Sequence, residues 1–159
     1  MSPYESLAAS MAIQDTLQPA PRLILQSRLS EITLLWPWVE TLAVEYEIPS
    51  DTLFAVHLCL EEAVSNIIRH GYGEQPGRRI TVDFSQENGN SLVFAIEDQA
   101  PPFDPLGHPA VPAMPAAESI DRLEPGGHGI RLLRRFAGSL GYQRLANGNR
   151  LIIRFPIHH

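Results

Sequence analysis

Lysine is absent. All twelve basic residues are arginine, against eighteen aspartates and glutamates, and the net charge is −6. Without lysine there is no Gly-Lys-Ser/Thr, so a Walker-type phosphate loop is excluded. An acidic chain with no basic block is also a poor binder of nucleic acid, where affinity rests on cations meeting phosphates. Cysteine is nearly absent: Cys59 alone cannot form a disulfide within the chain, which fits a reducing compartment. Nothing nearby would activate its thiol, so it reads as core filler. No run of 18 apolar residues occurs, so no membrane-spanning helix is expected. No basic residue precedes Arg22, which argues against a secretory signal. The expectation is a cytoplasmic protein with no direct nucleic-acid or membrane partner.

What is present suits one globular domain: 159 residues, 44% of them apolar, are enough for a real core. The strongest periodicity predicts a helix over about 52–70. Leu53, Val56, Leu60, Val64 and Ile67 recur at three- and four-residue steps. Pro49-Ser50-Asp51 supplies a start, with Ser50 or Asp51 as cap, and Gly71 a stop. On this helix Glu62 and Asn66 stand about 40° apart around the axis, one above the other, while Glu61 points about 140° away from Asn66. A carboxylate stacked on an amide oxygen suits a site that needs a base and a neutral metal ligand. His57, in the same helix, reads as structural rather than as a phosphoacceptor.

Around this helix, residues 1–20 read as an arm, either mobile or an added helix, and residues 21–157 as the domain. Arg22–Ser27 reads as a strand. A helix follows from Ile32 to Tyr46, capped by Ser30, and Pro37 either kinks it or starts it. Trp36 and Trp38 read as edge and core packing. Ile80, Val82 and Phe84 alternate with polar residues over a strand at 79–84. Asn88-Gly89 signals a hairpin, and residues 92–96 are apolar on both parities, with Asp98 at the end. Residues 100–125 hold seven of the fourteen prolines, which excludes continuous helix or central strand and predicts a lid or binding loop at about 100–126. A helix over 129–137 and a hairpin around Asn147-Gly148-Asn149 complete the chain. The pattern amounts to α plus β in two layers, with four or five strands.

Three stretches carry a resemblance. They are Glu62-Ala63-Val64-Ser65-Asn66 with His70-Gly71-Tyr72, Glu97-Asp98-Gln99-Ala100 running on to Phe103, and Gly126-Gly127-His128-Gly129-Ile130. Their order and separation are similar to the N box and two glycine boxes of the gyrase and histidine-kinase ATPase superfamily. Within it they most resemble the anti-sigma-factor serine/threonine kinases of bacterial partner-switching systems. The resemblance implies an α+β two-layer sandwich of mixed, mostly antiparallel sheet with helices on one face, the Bergerat-type ATP-binding fold. It implies ATP or ADP with Mg2+ as ligands, and assigns Glu62 as the catalytic base and Asn66 as a metal ligand.

The same resemblance makes Asn66, Asp98, Ala100, Phe103, Gly126, Gly127, His128, Gly129 and Ile130 the nucleotide-binding residues. The chemistry agrees. An ionised Asp98 is acceptor-only and suits the exocyclic amine of adenine. Glycine-rich backbone N–H groups at a helix start suit phosphate oxygens. An amide oxygen suits Mg2+. Ala100 departs from the family, which has glycine there, and requires a negative φ at that position. The implied partners are an anti-sigma-factor antagonist carrying the phosphoacceptor serine, a sigma factor, and a second copy of the chain in a homodimer. The alternative is a nucleotide-sensing binding regulator of the same fold without kinase activity.

Overall fold

The computed structural model describes residues 20–102 and 129–157, and of 129–132 the backbone alone. Strand β1 (Arg22–Gln26) leads through a 3-10 helix (Leu29–Leu34) directly into α1 (Leu35–Glu45). The main helix α2 (Ser50–Asn66) ends in a π-helical turn (Ile67–Gly71). Strands β2 (Arg79–Glu87) and β3 (Ser91–Asp98) form a hairpin. Helix α3 (Gly129–Phe136) then precedes a second hairpin, β4 (Ser139–Leu145) and β5 (Gly148–Pro156). The lid and the arm expected at about 100–126 and 1–20 lie largely outside the described residues. Among those residues no helix is long and apolar enough to cross a membrane.

The five strands lie in the order β1-β2-β3-β5-β4, and every pairing is antiparallel. This bears out the expected α+β sandwich with a mostly antiparallel sheet, the described strands being antiparallel throughout. Hairpins join β2 to β3 and β4 to β5, and no parallel crossover is made among the described residues. Alternation does the sorting. Leu25, Ile80, Val82, Phe84, Leu92, Phe94, Ile96, Leu151, Ile153 and Phe155 are buried on one face, against Leu35, Val39, Val56, Leu60 and Val64 of the helices. Each such side chain, fully buried, contributes about 1.5–3 kcal/mol. Tyr46 packs edge-on against Phe84 and Trp38 against Phe94, so the aromatic contacts pin α1 to the middle of the sheet. The opposite face carries cross-strand ion pairs instead, Arg22 with Asp83, Arg150 with Glu97 and Arg154 with Glu87. Cys59 is wholly buried, and burial pushes its thiol up to about 12.

Several boundaries differ from the sequence reading. Neither Ser50 nor Asp51 caps α2: the helix begins at Ser50 after Pro49, whose extended ψ of 150° turns the chain in. Ser30 lies inside the 3-10 helix, with Arg28 at its cap position. Pro37 sits in the first turn of α1, where a helix leaves its N–H groups unpaired, so it starts the helix rather than kinking it. The last turn of the main helix is wider than α: the Tyr72 N–H reaches the Ile67 carbonyl, 2.8 Å away and five residues back. The second hairpin turns at Ala146-Asn147, which leaves Gly148 and Asn149 in the strand.

Gly148 has a steric reason to be glycine. A Cβ there would run into the carbonyl of Asp98 on the neighbouring strand. Gly148→Ala is therefore expected to cost at least the roughly 1–3 kcal/mol typical of overpacking. Urea denaturation checks this, with Gly141→Ala as control, since a Cβ at Gly141 meets nothing within 4 Å.

Candidate functional site

The end of β3 and the end of α2 meet at one pocket. Its wall is made by Ala63 and Asn66 from the main helix, Ile67 from the π turn, Asp98 from β3, Leu133 from α3, Tyr142 from β4, and Asn149 and Leu151 from β5. The wall is mostly apolar, with a few convergent polar groups, as small-molecule sites generally are.

Asp98 is 7% exposed. Its Oδ1 accepts hydrogen bonds from the Asn149 amide Nδ2 at 2.8 Å and from the Ala100 N–H at 2.9 Å. The Asn149 backbone N–H also bonds to the carboxyl, and an ionised carboxylate with four lone-pair sites still keeps acceptor capacity for an amine. Burial raises the carboxyl pKa, and the hydrogen bonds from Asn149 and Ala100 and the charge of Arg144 pull it back down.

Asn149 is the residue the sequence reading missed. The Asn147-Gly148-Asn149 pattern predicts a turn there, whereas the strand register sets Asn149 directly opposite Asp98. Besides Asp98, its Nδ2 donates to the carbonyls of Ala100 at 3.3 Å and Pro101 at 3.1 Å. Its Oδ1 accepts from the Tyr142 hydroxyl and from Arg144 Nη1. Arg144 Nη1 also donates to the Ala100 carbonyl at 3.0 Å. The root of the Pro-rich segment is therefore tied to the same amide that holds Asp98. The sequence signal was available only as a polar residue at an inward-facing position of an otherwise apolar strand.

Ala100 is accommodated. Positive φ among the described non-glycine residues falls at Glu47, Glu74 and Asn88, so Ala100 keeps an ordinary backbone. Its methyl is buried, and it lies where Gly71 has no side chain: a Cβ on Gly71 would come within 3.3 Å of it. Tyr72 follows as a strut. Its hydroxyl donates to the Arg79 carbonyl at 2.7 Å and accepts from the Gln99 N–H at 2.7 Å, joining the start of β2 to the end of β3.

Asn66 is 6% exposed, and among the described residues no hydrogen bond reaches its side chain. A buried amide with open capacity, facing a pocket, fits a ligand that brings oxygens or a cation to it. Among the described residues no three His, Cys, Asp or Glu side chains gather into a metal site. The Asn66 amide oxygen is a neutral oxygen ligand of the kind that could hold a magnesium ion. Glu62 stands one turn before Asn66, half-buried and outside the pocket wall. Burial raises its pKa first and the neighbouring charge of Glu61 second, while Arg69 opposes both. Glu61 is exposed and lies 3.6 Å from His57. Phe103, Gly126, Gly127 and His128 lie outside the described residues, and Gly129 and Ile130 open α3.

A family model described as the histidine kinase-like ATPase domain matches residues 25–155. The chain belongs to the histidine kinase-like ATPase family. It is 31% identical over 117 residues to the serine/threonine-protein kinase BtrW of Bordetella bronchiseptica (strain ATCC BAA-588 / NCTC 13252 / RB50), a match covering 73% of this chain and 79% of that one. The crystal structure of the RsbU and RsbW domains of Rv1364c from Mycobacterium tuberculosis aligns over 86% of this chain, with a TM-score of 0.58 at 12% identity. The chain spans about a third of that protein's length, 32%, and the likeness bears on the fold alone. Membership in this family implies ATP or ADP as the ligand of the domain.

Asp98→Asn separates stability from recognition. Because burial raises the folded-state pKa, folding favours the protonated acid. That stability is fully present below the ordinary carboxylate range and is lost as pH rises through the raised value. Asparagine can keep the Oδ1 bonds and does not ionise. The variant should therefore melt at or above the parent at pH 7 without ligand, and lose that advantage at acid pH. It should bind ATP much more weakly. Asn149→Ala should instead lower both properties, losing about 1.5–3 kcal/mol of stability for a bond to a charged group. Thermal melts against pH and titration calorimetry measure the two effects.

Proposed function

We propose that the chain is an ATP-dependent protein serine/threonine kinase that phosphorylates an anti-sigma-factor antagonist and also sequesters a sigma factor. The observation that carries the reading is the convergence of a buried Asn66 amide and a buried Asp98 carboxylate on one pocket, with a half-buried Glu62 one turn away. The match to a serine/threonine-protein kinase supports it. In this reading residues 21–157 are one ATPase domain with its lid at about 100–126. It works in the cytoplasm as a homodimer, and residues 1–20 form an arm.

Asp98 accepts the adenine amine through its remaining acceptor capacity. Asn66 offers its amide oxygen to magnesium, whose contribution is to neutralise phosphate charge. The glycines from Gly126 to Gly129, with His128 and Ile130, hold phosphate oxygens, and Ala100 and Phe103 border the base. Glu62 takes the proton of the attacking serine hydroxyl. A bond forms from the serine oxygen to the γ-phosphorus, the bond to the β-phosphate bridging oxygen breaks, and ADP leaves. A raised pKa suits Glu62 to such proton transfer. The position of Glu62 outside the pocket wall favours a second reading, a nucleotide-sensing regulator of the same fold that transfers no phosphate.

Phosphate transfer to the antagonist, with ATP affinity measured alongside, decides between the two. Glu62→Gln should lower transfer by about 100- to 10,000-fold and leave ATP affinity nearly unchanged. Asn66→Ala should lower Mg-dependent ATP binding and transfer together. Parent protein that binds ATP and never phosphorylates its antagonist supports the second reading.

The acid limb of the transfer rate reports Glu62. It should lie above the ordinary carboxylate range, because Glu62 loses its base form as pH falls through a raised pKa. Glu61→Gln removes a like charge and should move that limb to lower pH. Arg69→Gln removes an opposing charge and should move it higher. A pH–rate profile for the three proteins checks the order.

A further inference from the structure

From Leu29 to Ile68 the chain has no arginine or lysine, and it carries seven carboxylates, Glu31, Glu40, Glu45, Glu47, Asp51, Glu61 and Glu62. This stretch forms α1 and α2; the arginines Arg131, Arg134 and Arg135 of the helical side belong to α3, which packs against α2. On α1, Trp36, Glu40 and Val44 follow at four-residue steps and form one exposed ridge. On α2, Phe54, His57 and Glu61 form a second. The Trp36 ring meets the His57 ring edge-on, 4.5 Å between centroids, so the two ridges adjoin. Large apolar side chains stand open on both: Trp36 is 38% exposed, Phe54 60% and Val44 83%. Solvated faces ordinarily carry such residues singly; here three belong to two adjoining helices joined by the short link 46–49.

We infer that this face docks a basic amphipathic helix of a protein partner. Charge complementarity selects the occupant. Apolar anchors on two adjoining helices match the way an amphipathic helix is held in a groove, and ridges that carry Glu40 and Glu61 and no arginine or lysine match arginine or lysine on that helix. Nucleic acid and anionic membrane are repelled by the same carboxylates. A second copy of this face is disfavoured, because it would set carboxylates against carboxylates. The inference stands apart from the nucleotide pocket: loss of ATP binding would leave it intact.

The test uses the whole protein and a fluorescein-labelled 18-residue peptide with leucine on one helical face and arginine on the other, followed by anisotropy. A glutamate-for-arginine counterpart and phosphatidylserine vesicles serve as controls. Expected is binding of the arginine peptide alone, weakening with salt, since screening acts on such contacts. Trp36→Ser with Phe54→Ser, which leaves net charge unchanged, should weaken it at least tenfold. Glu40→Gln with Glu61→Gln should weaken it and flatten the salt dependence. Ile24→Ser, an exposed apolar residue on β1, should do neither. Circular dichroism melts matching the parent show that the variants fold. Peptide binding unaffected by Trp36→Ser with Phe54→Ser overturns the inference, as does binding of the vesicles or the acidic peptide. A dimer in sedimentation velocity that Phe54→Ser dissociates, without peptide binding to the parent, also overturns it and assigns the face to a second copy.

Discussion

A carboxylate buried at the end of the central strand is costly unless hydrogen bonds compensate it, and much of the site is arranged around that cost at Asp98. The compensation comes from Asn149 on the adjoining strand and from the backbone two residues on. Asn149 can supply it only if β3 and β5 keep their register, and the register depends on Gly148, whose missing side chain lets β5 lie against the Asp98 carbonyl. One electrostatic requirement therefore reaches from the ligand pocket into the strand pairing and the final hairpin.

The same requirement extends into the helical layer. Gln99 and Ala100, which follow Asp98, are held by Tyr72 and packed against Gly71. Both residues come at or just after the π turn, directly past Asn66. The wider turn lets the chain leave the helix so that Asn66 stays on the pocket wall while Tyr72 reaches back to the sheet. The His-Gly-Tyr triplet after the main helix is thus architectural at Gly71 and Tyr72.

Elements with strong local pattern were legible in the sequence. The stripe Val56, Leu60, Val64 and Ile67 is buried, and Ile80, Val82 and Phe84 face inward together. Asp98 and Asn66 could be singled out because residue type and spacing are local properties. Asn149 could not, since its role exists only through pairing with a residue 51 positions earlier. The π turn carries no residue signature, because a wider turn needs no special side chain. The cap at Ser50 failed because Pro49, with its fixed φ, makes the entry instead.

Burial of Cys59 has a use beyond the core it fills. A thiol that stays protonated throughout the neutral range, wholly enclosed between helix and sheet, is silent to maleimides and other thiolate reagents while the fold holds. It is also the chain's only cysteine. A cysteine introduced anywhere on the surface would consequently be a unique attachment point for a fluorophore or spin label, with no native residue to remove first. Distances between such labels and a labelled nucleotide could then report domain movements in the otherwise unaltered protein.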